Sequence, residues 1–164
     1  MTPNIRRIRE DDIAAFYEMF AFVVRERKYL AFFDPPPIER TTAFVRQNIK
    51  MGYPQLVALA GAKVAGWCDI TPPGRDVTAH VGVLGIALHP DGRGQGLGER
   101  LMREALAAGD AFGYLRIELG VFAHNTRAQA LYHKLGFVEE GILRRRIRFG
   151  DDFHDEILMA RFKA

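Results

Sequence analysis

The sequence feature that most constrains the fold of this chain is a series of four glycines at alternate positions. It lies between a predicted buried strand and a predicted helix. The glycines are Gly92, Gly94, Gly96 and Gly98, and they follow the apolar segment Val81 to Leu88. A helix that begins just after such a loop presents N–H groups without intrahelical partners and the positive end of its dipole. Because glycine permits positive φ and has no Cβ, the backbone here can approach an anion closely. The sequence therefore predicts a phosphate-binding turn at the end of a central strand.

The residues around these glycines exclude several other classes of site. The dinucleotide-binding pattern needs glycines at i, i+2 and i+5, and Walker A needs a lysine followed by serine or threonine; neither is present. The chain contains no serine, which excludes serine hydrolases and serine-based triads. The one cysteine, Cys68, has no motif around it, and the five histidines form no H-E-x-x-H pattern. We therefore expect neither a serine nucleophile nor a metal.

Hydrophobic periodicity predicts a mixed α/β sheet in a single domain that spans residues 1–164. Apolar residues at three- and four-residue spacing predict helices at about 10–27, 38–51, 97–112 and 125–135. Segments rich in β-branched and apolar residues predict strands at about 5–9, 55–60, 63–71, 77–88, 115–122, 137–148 and 153–162. Strands that alternate with helices and then end in an antiparallel pair are typical of a mixed sheet.

Charge and hydropathy indicate the kind of environment and partner. The formal net charge is +3 with both signs spread along the chain, which does not favour nucleic acid. The densest basic run, Arg144–Arg148, predicts a solvated strand face or, alternatively, a rim that attracts an anionic ligand. The apolar segment Tyr29–Phe33 predicts core packing or the wall of a substrate pocket. No apolar run approaches the roughly 18 residues of a membrane span, and residues 1–7 hold no apolar signal segment. We expect a cytoplasmic protein with no membrane or nucleic-acid partner.

Two motifs resemble those of the GCN5-related N-acetyltransferase (GNAT) family. The loop Arg93-Gly-Gln-Gly-Leu-Gly98 matches the family pattern Q/R-x-x-G-x-G/A between strand four and helix three. Downstream, Leu119-Gly-Val121 and the segment from Asn125 to Phe137 resemble the second motif of that family. The resemblance covers Val77 to Phe162 well and the N-terminal third only by its order of elements. It implies the GNAT fold, a mixed and mostly antiparallel sheet of about seven strands flanked by about four helices.

This resemblance implies that acetyl-CoA is the acetyl donor. The residues that contact it are assigned from their positions in the family motifs. In the family the loop holds the pyrophosphate, which here implies Arg93, Gly94, Gln95, Gly96, Leu97 and Gly98, with Glu99 at the start of the helix. The preceding strand pairs with the pantetheine arm, which implies Ile86, Ala87 and Leu88.

Two residues of the second motif are predicted to be catalytic as well as cofactor-binding. Asn125 resembles the asparagine that contacts the cofactor beside the splayed strands. Tyr132 resembles the tyrosine that protonates the departing CoA thiolate. A tyrosine has a reference pKa of about 10 and is protonated at neutral pH, so it can serve as this acid. A packed core tyrosine is the alternative interpretation.

The base that takes a proton from the amine is not assigned by the resemblance. Asp69, His80 and Glu118 are titratable residues on predicted strands near the site. His80 is the first choice, because imidazole has a reference pKa of about 6.5 and accepts a proton near neutral pH. The strand-four glutamate of some family members has no counterpart here, and a water relay remains the alternative.

The C-terminal part of the chain bears on the acceptor. Residues 137–161 resemble the branch that acetylates free amino acids or small amine antibiotics such as phosphinothricin. Guanidinium groups pair with carboxylate in a bidentate way, and arginines are abundant there. We therefore expect a primary amine such as a free amino acid as acceptor. Acetylation of a protein N-terminus and a non-catalytic CoA-binding sensor are the alternatives, and a homodimer is compatible with all three.

Overall fold

A computed structural model describes residues 2–164, in which seven strands form one sheet with helices on both faces. The strands are β1 (Asn4–Arg7), β2 (Gln55–Ala60), β3 (Lys63–Thr71), β4 (Val81–Leu88), β5 (Arg116–Phe122), β6 (Val138–Phe149) and β7 (Asp152–Phe162). The helices are α1 (Ile13–Glu26), α2 (Ile38–Met51), α3 (Leu97–Phe112) and α4 (Thr126–Lys134). The predicted mixed sheet with four helices is confirmed. No helix within residues 2–164 has the length and apolar content of a membrane span.

The sheet is split where β4 meets β5. Its strand order is β1-β2-β3-β4-β5-β7-β6, and every neighbouring pair is antiparallel except β4 and β5. The parallel pairing joins only Val81–Val83 to Arg116–Glu118. Beyond it, residues 84–88 and 119–122 line the two sides of a cavity. The facing edges of β4 and β5 therefore leave backbone N–H and C=O groups for a ligand.

Two cores hold the helices against the sheet. On one face Phe16 and Phe20 of α1 pack edge-on against Trp67 of β3, with ring centroids 5.3 and 5.5 Å apart. On the other face α3 contributes Leu101 to a core that also contains Cys68. Burial raises the pKa of the Cys68 thiol well above its ordinary value, so it remains a neutral thiol.

The predicted strand over 77–88 begins later than expected. Asp76–Thr78 form a short 3-10 turn in which the Thr78 hydroxyl donates to the Arg75 carbonyl oxygen at 3.1 Å. Val77 is 81% exposed, so its apolar side chain belongs to no strand face. Local hydrogen bonds of the threonine compete with strand pairing, and β4 starts at Val81.

A bulge interrupts the predicted strand over 137–148. Leu143 lies opposite Glu156 and Ile147 lies opposite His154, so three residues of β6 face one residue of β7. Arg145 adopts a φ of 52°, and its N–H donates to Asp155 Oδ1 at 2.7 Å. The predicted strand is therefore present but irregular, because the bulge changes the direction of the side chains around it.

Candidate active site

The split between β4 and β5 opens into a cavity of about 620 Å3. Its walls come from the ends of both strands, the glycine loop, α4 and the connection between α1 and α2. Most of the predicted site residues line it: Ile86, Ala87, Leu88, Arg93, Gly94, Gly96, Gly98, Glu99, Asn125 and Tyr132. Within residues 2–164, no group of three or more His, Cys, Asp or Glu side chains is arranged to hold a metal ion.

The glycine loop presents a row of free amides to this cavity. In the described chain, the N–H groups of residues 94–99 donate to no protein acceptor, whereas Arg93 and Arg100 on either side donate to carbonyl oxygens. Gly94 and Gly96 both have a φ of 77°, which turns successive N–H groups the same way. Such a concave row of donors at a helix N-terminus binds anions. The backbone of the predicted loop is therefore suited to a phosphate or pyrophosphate group.

Two predicted loop residues contribute no side chain to the cavity. Leu97 is buried in the core beneath α3, and only 3% of it is exposed. Gln95 turns away and donates through Nε2 to the Asp91 carbonyl oxygen at 2.8 Å. An anion in the loop would meet only the backbone N–H groups of these two residues.

The Arg93 side chain holds the loop against α1 through an ion pair, which neutralises its charge. Its Nη1 and Nη2 donate to the Glu26 carboxylate at 3.0 and 2.6 Å, and its Nε donates to the Leu88 carbonyl oxygen at 3.1 Å. The guanidinium also lies over the Tyr29 ring, 4.5 Å from its centroid. Arg93 thus lines the cavity as part of the predicted loop, with its guanidinium paired to α1.

A different arginine, Arg127 on the first turn of α4, supplies positive charge beside the loop. Its Nη2 lies 3.4 Å from the position that a Cβ on Gly94 would take, and it lines the cavity. The Glu99 carboxylate at the same mouth is neutralised by Arg103 and Lys134, each 2.8 Å away. These hydrogen bonds, that of Lys134 above all, lower the pKa of Glu99. Net positive charge therefore remains next to the free amides.

Tyr132 and Asn125 reach the cavity from α4. Tyr132 is 7% exposed, its ring packs against Phe137 at 5.9 Å, and burial raises the pKa of its hydroxyl above the ordinary value. No hydrogen bond within residues 2–164 uses that hydroxyl. Asn125 caps the helix, because its Oδ1 accepts the Ala128 N–H at 3.2 Å. Its NH2 group makes no hydrogen bond within residues 2–164, and the residue lines the cavity.

None of the three side chains predicted as the base lines the cavity. His80 precedes β4 and is exposed, whereas the cavity is lined by residues 84–88 of that strand and begins roughly 13 Å further along it. Glu118 is paired with Arg116, whose Nε donates to it at 2.9 Å. Asp69 is buried behind Gly85 and accepts the Trp67 Nε1–H at 2.9 Å. The structure therefore places His80, the first choice, outside this cavity.

Asp69 predicts a specific dependence of stability on pH. Burial raises the pKa of its carboxyl to about 7, against the hydrogen bond from Trp67, which lowers it. Between about pH 4 and pH 7 the folded chain thus holds a proton that the unfolded chain has lost, and stability falls as pH rises. Asp69→Asn removes this dependence on pH. We therefore expect the free energy of unfolding of the variant, relative to that of the wild type, to rise by about 2–3 kcal/mol between pH 5 and pH 8. Urea unfolding at the two pH values measures it; an equal difference at both contradicts the assignment.

A second cavity, of about 380 Å3, adjoins the first. Ala31 and Glu156 line both cavities, and Phe33, Arg146 and Phe149 line the second. Segments 29–33 and 144–148, each of which had two interpretations, thus both contribute to pocket walls. Glu156 has no counterpart among the predicted site residues, since only tertiary pairing brings this tail residue to the split.

Solved structures with this architecture include acetyltransferases. A phosphinothricin acetyltransferase from Sinorhizobium meliloti in complex with acetyl-CoA superimposes with a TM-score of 0.92 and 22% identity, over 99% of this chain and 89% of that one. At this identity the likeness shows the fold, which is that of an N-acetyltransferase.

The chain itself belongs to the Acetyltransferase (GNAT) family, whose model matches residues 13–137. It is 34% identical over 113 residues to the L-amino acid N-acetyltransferase AaaT of Escherichia coli K12, which is 68% of this chain and 70% of that protein. It is 37% identical over 78 residues to the [ribosomal protein bS18]-alanine N-acetyltransferase of the same organism, 48% of this chain and 53% of that one. The resemblance predicted from the two motifs is confirmed.

Proposed function

We propose that this acetyltransferase transfers the acetyl group of acetyl-CoA to the amino group of a free amino acid. The pyrophosphate of the donor would lie on the free amides of residues 94–99, with Arg127 beside it. The pantetheine arm would follow the open edge of β4 at residues 86–88, and the thioester would lie near Tyr132. The row of free amides supports the donor, because only an anion satisfies so many adjacent donors at once.

The second cavity, which is open to solvent and lined by Arg146, is the observation that carries the choice of acceptor. Phe33, from the connection between α1 and α2, lies 6.4 Å from Phe149 of β6, and the two rings line the cavity. Arg27 stacks on Phe33 at 3.8 Å, and the Tyr17 hydroxyl donates to the Pro36 carbonyl oxygen at 2.7 Å, so the connection is held in place. A cavity of about 380 Å3 is of a size that accommodates a small molecule such as an amino acid.

Arg146 gives this cavity an affinity for carboxylate. The bulge in β6 brings its Nε to 3.7 Å from Glu156, and most of the side chain is exposed to the cavity and solvent. Arg148, the other arginine there, already donates through Nε to the Gly150 carbonyl oxygen at 2.6 Å. Arg146 is therefore placed to bind the carboxylate of an amino acid while its amino group faces the split.

The acceptor class has a direct test. With acetyl-CoA and a panel of amines, followed by thiol release, we expect amino acids to be acetylated better than their amides. Arg146→Ala should raise the KM of the amino acid by about 10- to 100-fold, the value of a charged hydrogen bond, and change that of the amide little. Arg144→Ala, in the same bulge but outside both cavities, is the control. Turnover confined to peptides with a free N-terminus would contradict the proposal.

A further inference from the structure

We propose that Glu156 is the group that accepts the proton which the acceptor amine must lose before it attacks. The inference rests on the proposed acetyl transfer and assigns its missing base. Glu156 lies on β7 opposite Phe122 of β5, and its side chain lines the donor cavity and the acceptor cavity alike. It is therefore at the boundary that the amine and the thioester share.

A glycine on the neighbouring strand makes room for this carboxylate. A Cβ added to Gly120 of β5 would lie 2.9 Å from Glu156 Cδ and 3.3 Å from Cγ, and its contact with Oε1 would be closer still. The Glu156 carboxylate thus occupies the space that any other side chain at position 120 would fill. Gly120 itself lines the split, so the carboxylate lies on the strand edge where the thioester would be.

Glu156 and Tyr132 approach the split from opposite faces of the sheet. Ile157 and Met159 of β7 belong to the core that contains Tyr132. Because side chains alternate along a strand, Glu156 points to the other face, where the acceptor cavity lies. A base on one side and an acid on the other can act on the two ends of the reacting group without competing for the same space.

The proton transfers balance with these two residues. One N–H proton of the acceptor ammonium passes to a Glu156 oxygen, and the freed nitrogen lone pair forms a bond to the thioester carbonyl carbon. The carbon–sulfur bond breaks, and the sulfur takes the Tyr132 hydroxyl proton. The second proton of the nitrogen returns to the Tyr132 oxygen, which leaves an amide, free CoA and one proton on Glu156 for release to solvent.

Glu99, the other carboxylate that lines the donor cavity, does not lie at the boundary between the two cavities. Glu99 lies at the phosphate end and is paired with both Arg103 and Lys134. Within residues 2–164, Glu156 has one cationic side chain within 4 Å, Arg146 at 3.7 Å, beyond direct hydrogen-bond distance. Its oxygens are thus free to receive a proton from an amine held by that arginine.

Single-turnover rates of two variants, in each of which a carboxylate is replaced by an amide, test the assignment. Glu156→Gln keeps the shape of the side chain and should slow acetyl transfer at pH 7 by about 10²- to 10⁴-fold, the usual contribution of a positioned base. Its affinity for acetyl-CoA by calorimetry should stay within about threefold of the wild type. The loss should shrink as pH rises towards the pKa of the amine, because solvent then supplies neutral amine. Asp69→Asn, the same chemical change in a buried carboxyl outside the cavity, and His80→Ala should leave the rate unchanged.

A second variant keeps the test decisive if Glu156→Gln does not fold. Gly120→Ala leaves the glutamate in the chain but displaces its carboxylate, and should reproduce the slow rate with the same recovery at high pH. A Glu156→Gln rate within threefold of the wild type, or an equal loss at every pH, would overturn the assignment. If the wild type itself transfers acetyl to no amine, the proposed function fails instead, so the two failures are distinguishable.

Discussion

Gly96→Glu is expected to abolish acetyl-CoA binding while the chain stays folded. Gly96 precedes α3, no atom lies within 4 Å of the position of an added Cβ, and its amide belongs to the free row over residues 94–99. A carboxylate there adds negative charge where the pyrophosphate would lie and can itself take the amides. The loss of two charge-assisted hydrogen bonds alone corresponds to at least about 100-fold in affinity. Calorimetry with CoA on the folded variant measures this.

Backbone strain has to be separated from charge in that experiment. Gly96 has a φ of 77°, a conformation that disfavours any residue with a Cβ. Gly96→Ala carries the same strain without the charge, so it should lose stability comparable to that of Gly96→Glu and retain most of its affinity. If both variants bind CoA as the wild type does, the loop is not the pyrophosphate site.

Tyr132→Phe should slow the chemical step by about 10²- to 10⁴-fold at constant acetyl-CoA affinity. The substitution keeps the ring that packs against Phe137 and removes only the hydroxyl, which no protein group within residues 2–164 uses. Because burial raises the pKa of Tyr132, the hydroxyl stays protonated across the working range and is available to the leaving sulfur. Single-turnover kinetics with saturating amine separate this step from binding.

Tyr114→Phe is the matched control for the tyrosine. Tyr114 is 1% exposed, lies outside the cavity and donates its hydroxyl to the Ile70 carbonyl oxygen at 3.3 Å. Loss of that hydroxyl should cost stability and leave the rate unchanged. A Tyr132→Phe rate within threefold of the wild type would make Tyr132 a packing residue.

The helices, the strands and the donor-binding loop could be predicted because the sequence patterns that indicate them lie within each segment. The helix over residues 38–51 and the hairpin strands over 55–60 and 63–71 have the predicted bounds, since apolar spacing and turn residues lie within each segment. The glycines at 94 and 96 likewise predict a backbone property, the free amides, which needs no distant partner.

Side-chain positions that depend on pairing with distant residues could not be predicted. Arg93 meets Glu26 from 67 residues away, and no local pattern indicates that ion pair. Glu156 reaches Gly120 only because β7 pairs with β5, so its place at the split is visible only in the folded chain. The position of His80 could not be predicted either, because β4 begins only at Val81 and a residue type does not indicate which end of a strand lines a cavity.

Because the junction between β4 and β5 is short, the stability of the sheet depends on whether a donor molecule is bound in the split. Three residues of each strand hold together the two parts of the sheet, and the remaining backbone groups along the split have no strand to pair with. A donor molecule seated there takes the place of the missing pairing and binds only the folded chain. It adds about 2.7 kcal/mol to stability at a hundred times its dissociation constant. The lifetime of the protein against proteolysis should therefore rise and fall with the supply of its own substrate.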